Sequence, residues 1–237
     1  MITMYKDCGL TMKQFLNDIN ERYPDEKYTF TARLDPMACG LVPLIPKKEF
    51  KNIYSHYKYG KTYQVRVILG ISTDSDDVLG KIEKLDESYF DDIDLKSFEC
   101  YFEKKNITYN QKYHYFSSKR IYNRLKNKKD IEYTHPVTIY KSSILSKGKL
   151  YFSKWISQVI ININKVDKEK DFRQTEIIEQ WRIKNNCYDS KILNYIDLEL
   201  KVSSGFYVRQ FIRDISEKIN IPMLAYKITR VSIDLNK

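Results

Sequence analysis

Apolar and charged positions alternate most regularly from Tyr195 to Val202. Ile196, Leu198, Leu200 and Val202 are apolar, and Asp197, Glu199 and Lys201 between them are charged. That period of two predicts a strand with one face on a core. Residues 62–71 repeat it through Tyr63, Val65, Val67, Leu69 and Ile71. Two other stretches carry the helical period. Thr11 and Gln14 have the spacing of a capping box, and Met12, Phe15, Leu16, Ile19 and Tyr23 follow, which predicts a helix over about residues 12–22. Val208, Phe211, Ile212, Ile215 and Ile219 predict another, stopped by Asn220 and Pro222. Residues 91–106 run from acidic to basic and predict a further amphipathic helix. KYTFT and GLVPLI read as extended segments flanking a loop at residues 32–37, and TDSDDVLGK as a turn. With no Pro, Gly or Ser-rich linker and no repeat, one domain over residues 1–237 is the simplest organisation.

Charge changes the picture from fold to partner. The 237 residues carry 41 Lys and Arg against 31 Asp and Glu, a formal net charge of +10, and 20 tyrosines. Residues 112–129 hold seven basic residues and no acidic one, so this stretch cannot neutralise itself. A surface that neutralises phosphates and stacks on unpaired bases has this composition, and so does any protein from a genome biased to Lys, Asn and Tyr. Cys8, Cys39, Cys100 and Cys187 form no C-x-x-C pair and lie far from the three histidines, so no metal site is expected. The longest apolar runs are strand-sized, and no apolar leader is evident. The expectation is a soluble, cytoplasmic protein that does not enter membranes.

Three residues stand out chemically. Pro36 biases Asp35 toward extended backbone, and Gly40 lets the chain turn close by, which places Asp35 on a short loop between strands. Taken alone, an Asp near an Arg is more often a solvated pair. Arg209 falls in the first turn of its helix, where the macrodipole disfavours a cation by about 0.3–1 kcal/mol. A nearby carboxylate would compensate and be held ionised; an ordinary exposed arginine is the competing reading. Tyr63 reads as a core tyrosine whose hydroxyl reaches solvent.

The order of motifs resembles the TruB class of pseudouridine synthases. YKDCGLT is similar to its opening K-P-x-G-x-T-S, and TARLDPMACGLVPL to the G-T-L-D-P-x-A-T-G-x-L-P around its catalytic Asp. GKTYQVRVILGISTDSDDVLGKI, FSSKRIYNRLKNKKDIEYTHPVTIY, LKVSSGFYVRQFIRDI and AYKITRVSI follow in family order. The resemblance implies an α+β pseudouridine synthase fold, with a mixed, mostly antiparallel central sheet, flanking helices and a basic thumb. It implies isomerisation of uridine in RNA, without a cofactor, by a monomer whose substrate is the tRNA T-loop uridine at position 55. In this correspondence Asp35 is the catalytic carboxylate, Tyr63 stacks on the target uracil, and Arg209 pairs with Asp35. Ile228 lines the base pocket, and Arg33, Lys61, Lys119, Arg124, Lys126 and Lys128 meet RNA. Whether the carboxylate attacks C1′ or takes a proton from C2′ is left open.

Departures from the pattern keep alternatives in view. Phe30 stands where the family commonly has a histidine, and Asp7 replaces the proline of the opening motif. Arg33-Leu34-Asp35 matches the R-L-D of the sister RluA and RsuA classes, whose substrate would be rRNA or another RNA. A non-catalytic RNA-binding or chaperone protein is the other alternative. About forty residues, 147–186, separate blocks that normally lie closer, which reads as an insertion. The motifs end near residue 237, without the PUA-type RNA-binding domain that commonly follows.

Overall fold

A computed structural model of the chain describes residues 1–49, 59–91, 93–116 and 133–234. Its strands are β1 (Ile2–Lys6), β2 (Tyr28–Phe30), β3 (Ala38–Pro46), β4 (Lys61–Leu69), β5 (Ile71–Thr73), β6 (Ile82–Leu85), β7 (Lys104–Lys112), β8 (Thr134–Tyr151), β9 (Ile192–Val202) and β10 (Met223–Ile233). Eight of them form one sheet in the order β1-β3-β10-β4-β9-β8-β7, with β2 added to β3, while β5 and β6 pair separately. Every pairing in the large sheet is antiparallel except β3 with β10, which run parallel through Ala38–Ile228, Cys39–Thr229 and Gly40–Arg230. This is the mixed, mainly antiparallel sheet that the resemblance implies.

The alternation read from the sequence is the alternation between sheet faces. On paired strands β4 and β9, Val65 lies opposite Leu198 and Val67 opposite Ile196. These four point into one core with Met12, Phe15 and Ile19 of helix α1 (Met12–Arg22). The Thr11 hydroxyl accepts the Gln14 amide, and the Gln14 side chain accepts the Thr11 amide, which satisfies two of the donors a helix start leaves over. After the four-residue helix α2 (Glu99–Phe102), the chain builds the opposite face with α3 (Phe152–Lys165) and α4 (Gln174–Tyr188). Ile68 and Leu224 of the sheet meet Trp155, Val159, Ile177 and Trp181 there. The two tryptophans meet edge to face at 5.2 Å. The final helix, α5 (Val208–Ile219), returns to the first face with Val208, Phe211, Ile212 and Ile215 buried.

Residues 147–186, read from spacing alone as an insertion, are thus the end of β8, helix α3 and most of α4, and they furnish a second core. The expected helix over 91–106 is corrected: only residues 96–98 and α2 turn helically, and β7 begins at Lys104. Asp91 and Asn106 have positive φ, which a helix does not tolerate, and the backbone of 104–112 is taken up by the ladder with β8. Pairing with a partner strand outweighs a charge gradient that only resembles a helix face. Among the described residues no helix is long and apolar enough to cross a membrane.

Lys61 opens β4 almost fully buried, its ammonium donating to the Tyr59 carbonyl at 2.8 Å. Burial, helped by the Arg230 charge and opposed by Asp234, lowers its pKa from 10.5 to about 8. The unfolded chain keeps this proton up to the ordinary value and the folded chain releases it earlier, so folding gains stability as pH rises through that window. Lys61→Met removes the gain. Its stability advantage over wild type should therefore shrink between pH 8 and 10.5, by up to roughly 3 kcal/mol, in urea unfolding curves. A constant difference across that range would show that the ammonium is solvated.

Candidate active site

The loop between β2 and β3 is fixed from below by two buried cations whose donors go to carbonyls in the loop and beside it. Lys6, at the end of β1, donates to Ala38 at 2.7 Å, Asp7 at 3.0 Å and Pro36 at 3.3 Å. Arg230 of β10 donates to Leu41 at 2.6 Å, Arg33 at 3.1 Å and Ala32 at 3.3 Å. Arg230 can come so close because Gly40, at φ +112°, has no side chain; a Cβ there would lie 2.3 Å from the Arg230 carbonyl oxygen. Loop backbone engaged in this way leaves the Asp35 side chain to point into a cleft of about 950 Å3.

Arg209 meets Asp35 from α5. Its Nη2 and Nε lie 2.8 and 3.0 Å from Asp35 Oδ2, and Nη1 donates to the Ser75 carbonyl at 2.7 Å. Nη1 also stands 3.6 Å from Asp77 Oδ2, and Nη2 is 3.4 Å from the Phe116 carbonyl. The guanidinium is 6% exposed, whereas the Asp35 side chain is 39% exposed, so the cation is sealed in and the carboxylate faces the cleft. Although burial opposes its charge, the carboxylates of Asp35, Asp77 and Asp76 raise the Arg209 pKa. This is the compensation that a cation in the first turn of a helix requires.

Asp77 is the hidden partner in this arrangement. Burial pushes its carboxyl up, Arg209 pulls it back, and Asp35 pushes it up further; the Ser75 hydroxyl and the Leu79 amide donate to it. Its neighbour Asp76, at φ +57°, accepts His114 Nε2 at 2.6 Å and Arg213 Nε at 2.7 Å on the same oxygen. The Phe116 amide donates to the other ring nitrogen of His114, which leaves Nε2 as the donor to Asp76. The turn after β5 therefore cages the arginine and ties down Phe116.

Of the residues expected from sequence, Asp35 and Arg209 come together, and Arg33 stands exposed on the cleft rim with its guanidinium 4.8 Å over the Phe30 ring. Tyr63 is 7% exposed on β4, opposite Leu200 and Arg230, and does not line the cleft. Ile228 is buried in β10 between Ala38 and Val65. Lys61 is turned to its own backbone neighbour. Lys119, Arg124, Lys126 and Lys128 lie outside the described residues. Sequence reading missed Ser75, Asp77, Lys6, Arg230 and Phe116. The signal for the first two was an acidic run, TDSDD, in a chain of net charge +10, which periodicity alone marks only as a turn.

Residues 20–159 match the model of the TruB family pseudouridylate synthases (N terminal domain). The chain is 25% identical over 232 residues to "tRNA pseudouridine synthase B" of Prochlorococcus marinus, which covers 98% of this chain and 62% of that protein. The protein of the same name in Caldanaerobacter subterraneus is 23% identical, over 94% of this chain and 64% of its own length. The chain thus spans less than two thirds of these relatives. In fold it is similar to a chain of a Cbf5-Nop10-Gar1 complex, with a TM-score of 0.57 at 13% identity over 98% of this chain and 48% of the other. An archaeal box H/ACA sRNP Nop10-Cbf5 complex gives 0.51 at 13% identity.

If Arg209 is what makes Asp77 tolerable, Arg209→Met should cost about 3–5 kcal/mol in urea unfolding, because two carboxylates lose their counter-charge. Adding Asp77→Asn to that variant should restore at least about 1 kcal/mol. Strictly additive losses would mean that the two side chains do not interact.

Proposed function

Because this chain belongs to the TruB family of pseudouridylate synthases, we propose that it isomerises uridine to pseudouridine in tRNA, with Asp35 as the reacting carboxylate. The observation that carries this reading is the half-exposed Asp35 carboxylate in a cleft, held on one side by a buried arginine. A carboxylate with that support keeps its orientation while its free face is open to a nucleotide.

The reaction breaks the bond between ribose C1′ and uracil N1, turns the base and rejoins it through C5. The proton on C5 is lost and N1 gains one, so there is no net redox change and no water is consumed. An ionised Asp35 serves either as nucleophile at C1′ or as base at C2′. The target uridine has to leave its stack to reach Asp35. Tyr63 and Ile228, the residues that the resemblance implies for holding the turned uracil, share the apolar core beneath the loop and do not line the cleft, and Arg33 on Phe30 is the proposed rim contact. The relatives named above support tRNA as the substrate, and the T-loop uridine, position 55, is the target that the motif resemblance implies. The basic run at residues 112–129 is the proposed grip on phosphates, which adds affinity without reading sequence.

Tritium release from C5-labelled tRNA transcripts tests the reading. Wild type should release tritium from a transcript carrying the T-loop uridine and not from one with cytidine there. Asp35→Asn should abolish release while leaving RNA affinity within about threefold, since the amide keeps the shape and loses the anion. A tenth of the normal rate in the Asn variant would exclude Asp35 as the reacting group. Release that persists after the T-loop change would move the target to another uridine.

A further inference from the structure

The connector between α3 and α4, residues 166–173, is the part of the two-helix segment that reaches the cleft, where Lys170, Asp171, Phe172 and Arg173 form one wall. It is built, not loosely draped. Gln174 Nε2 donates to the carbonyls of Asp167 and Lys170, and its Oε1 accepts the Phe172 amide. Gln14 of α1 donates to the Lys165 carbonyl, and Lys13 pairs with Glu169 at 2.6 Å. Arg173, at φ +62°, makes two bonds to the Asp74 carboxylate, at 2.5 and 3.1 Å, and stacks 5.0 Å from the Phe116 ring. A left-handed backbone at a non-glycine residue costs about 1–3 kcal/mol and persists only where the surroundings hold it, as here.

The charges of this wall are sorted. Glu169 is taken by Lys13, Asp171 accepts the amide of Arg173, and Arg173 is taken by Asp74. Lys170 is exposed, lines the cleft and has no carboxylate partner among the described residues. Across the cleft stand Arg33 on its Phe30 ring and Lys47, also without a described acidic partner. At about 950 Å3 the cleft lies at the upper end of the roughly 300–1,000 Å3 typical of small-molecule sites, so it has room beyond the one nucleotide that reaches Asp35.

We propose that the connector at residues 166–173 is a second RNA-recognition wall, in which Lys170 holds the phosphate of a nucleotide flanking the target uridine. This rests on the proposed activity on RNA and adds to it a phosphate-positioning element carried between α3 and α4. The Lys170 side chain makes no bond to the described residues that the fold needs, so changing its charge alters recognition and leaves the Asp35–Arg209 pair in place. Lys168, exposed on the same connector but not lining the cleft, is the matched control for general charge.

The experiment is single-turnover pseudouridine formation by the full chain on a tRNA transcript, with filter binding of the same RNA over a salt series. Lys170→Glu should raise the half-saturating protein concentration about tenfold and keep the saturated rate within about twofold. It should also reduce the slope of log affinity against log salt by roughly one, as expected for one lost phosphate contact. Lys170→Arg and Lys168→Glu should behave as wild type. An unchanged slope and half-saturation in Lys170→Glu, or an equal loss in Lys168→Glu, overturns the wall. If wild type forms no pseudouridine, the activity reading fails and the binding data alone decide the wall: the same selective loss upholds it, and its absence overturns it.

Discussion

The buried guanidinium of Arg209 is the contact on which the cleft-bearing half of the molecule depends. Three segments distant in sequence supply its partners: Asp35 from the β2–β3 loop, Ser75 and Asp77 from the turn after β5, and Phe116 beyond β7. Arginine suits the position because its planar fork presents five donors at fixed angles and stays charged when desolvated. Losing Asp35 or the Ser75 carbonyl would leave a buried N–H unsatisfied, so these segments and α5 hold one another in register through this side chain. The loop bearing Asp35 needs no rigidity of its own.

Behind that cage stands α4. Trp181 donates its indole N–H to the Val78 carbonyl at 3.1 Å, Gln180 accepts the Ile82 amide, and Glu176 pairs with Lys81. With Arg173 on Asp74, these bonds fasten most of the turn that surrounds Arg209 to a helix on the far face of the sheet. The second core is therefore a support for the site as well as a cover for apolar strand residues. Its geometry couples the packing of two tryptophans to the placement of a carboxylate they never touch.

Much of this was legible in the sequence wherever a local rule and the tertiary answer coincide. The capping box of α1, the alternation of β4 and β9 and the helical face of α5 each report a buried surface through a short-range pattern. The Asp35–Arg209 pair was foreshadowed by a cation in a first helical turn, an electrostatic debt that only a distant residue could settle. What escaped was set by long-range contact. Asp77 and Lys6 are charged residues whose burial no periodicity announces, and Arg209 of α5 and the carbonyls around the Asp35 loop, all distant in sequence, answer their charges. Lys61 carries the same charge as a phosphate-binding lysine, and only the strand pairing shows that it points at Tyr59. Residues 91–106 imitate a helix in charge order but lack a continuous apolar stripe, and from Lys104 onward β8 claims the backbone.

The parallel pairing of β3 with β10 has a consequence for the order in which the molecule is made. Arg230 reaches back 189 to 198 positions along the chain to the carbonyls of Leu41, Arg33 and Ala32. Contacts of that separation close late, because the entropy of the intervening loop must be lost before they form. A ribosome will have delivered Asp35 long before it delivers the strand that seats it. The nascent chain accordingly carries Asp35 in a loop that lacks its Arg230 contacts until β10 slots between β3 and β4.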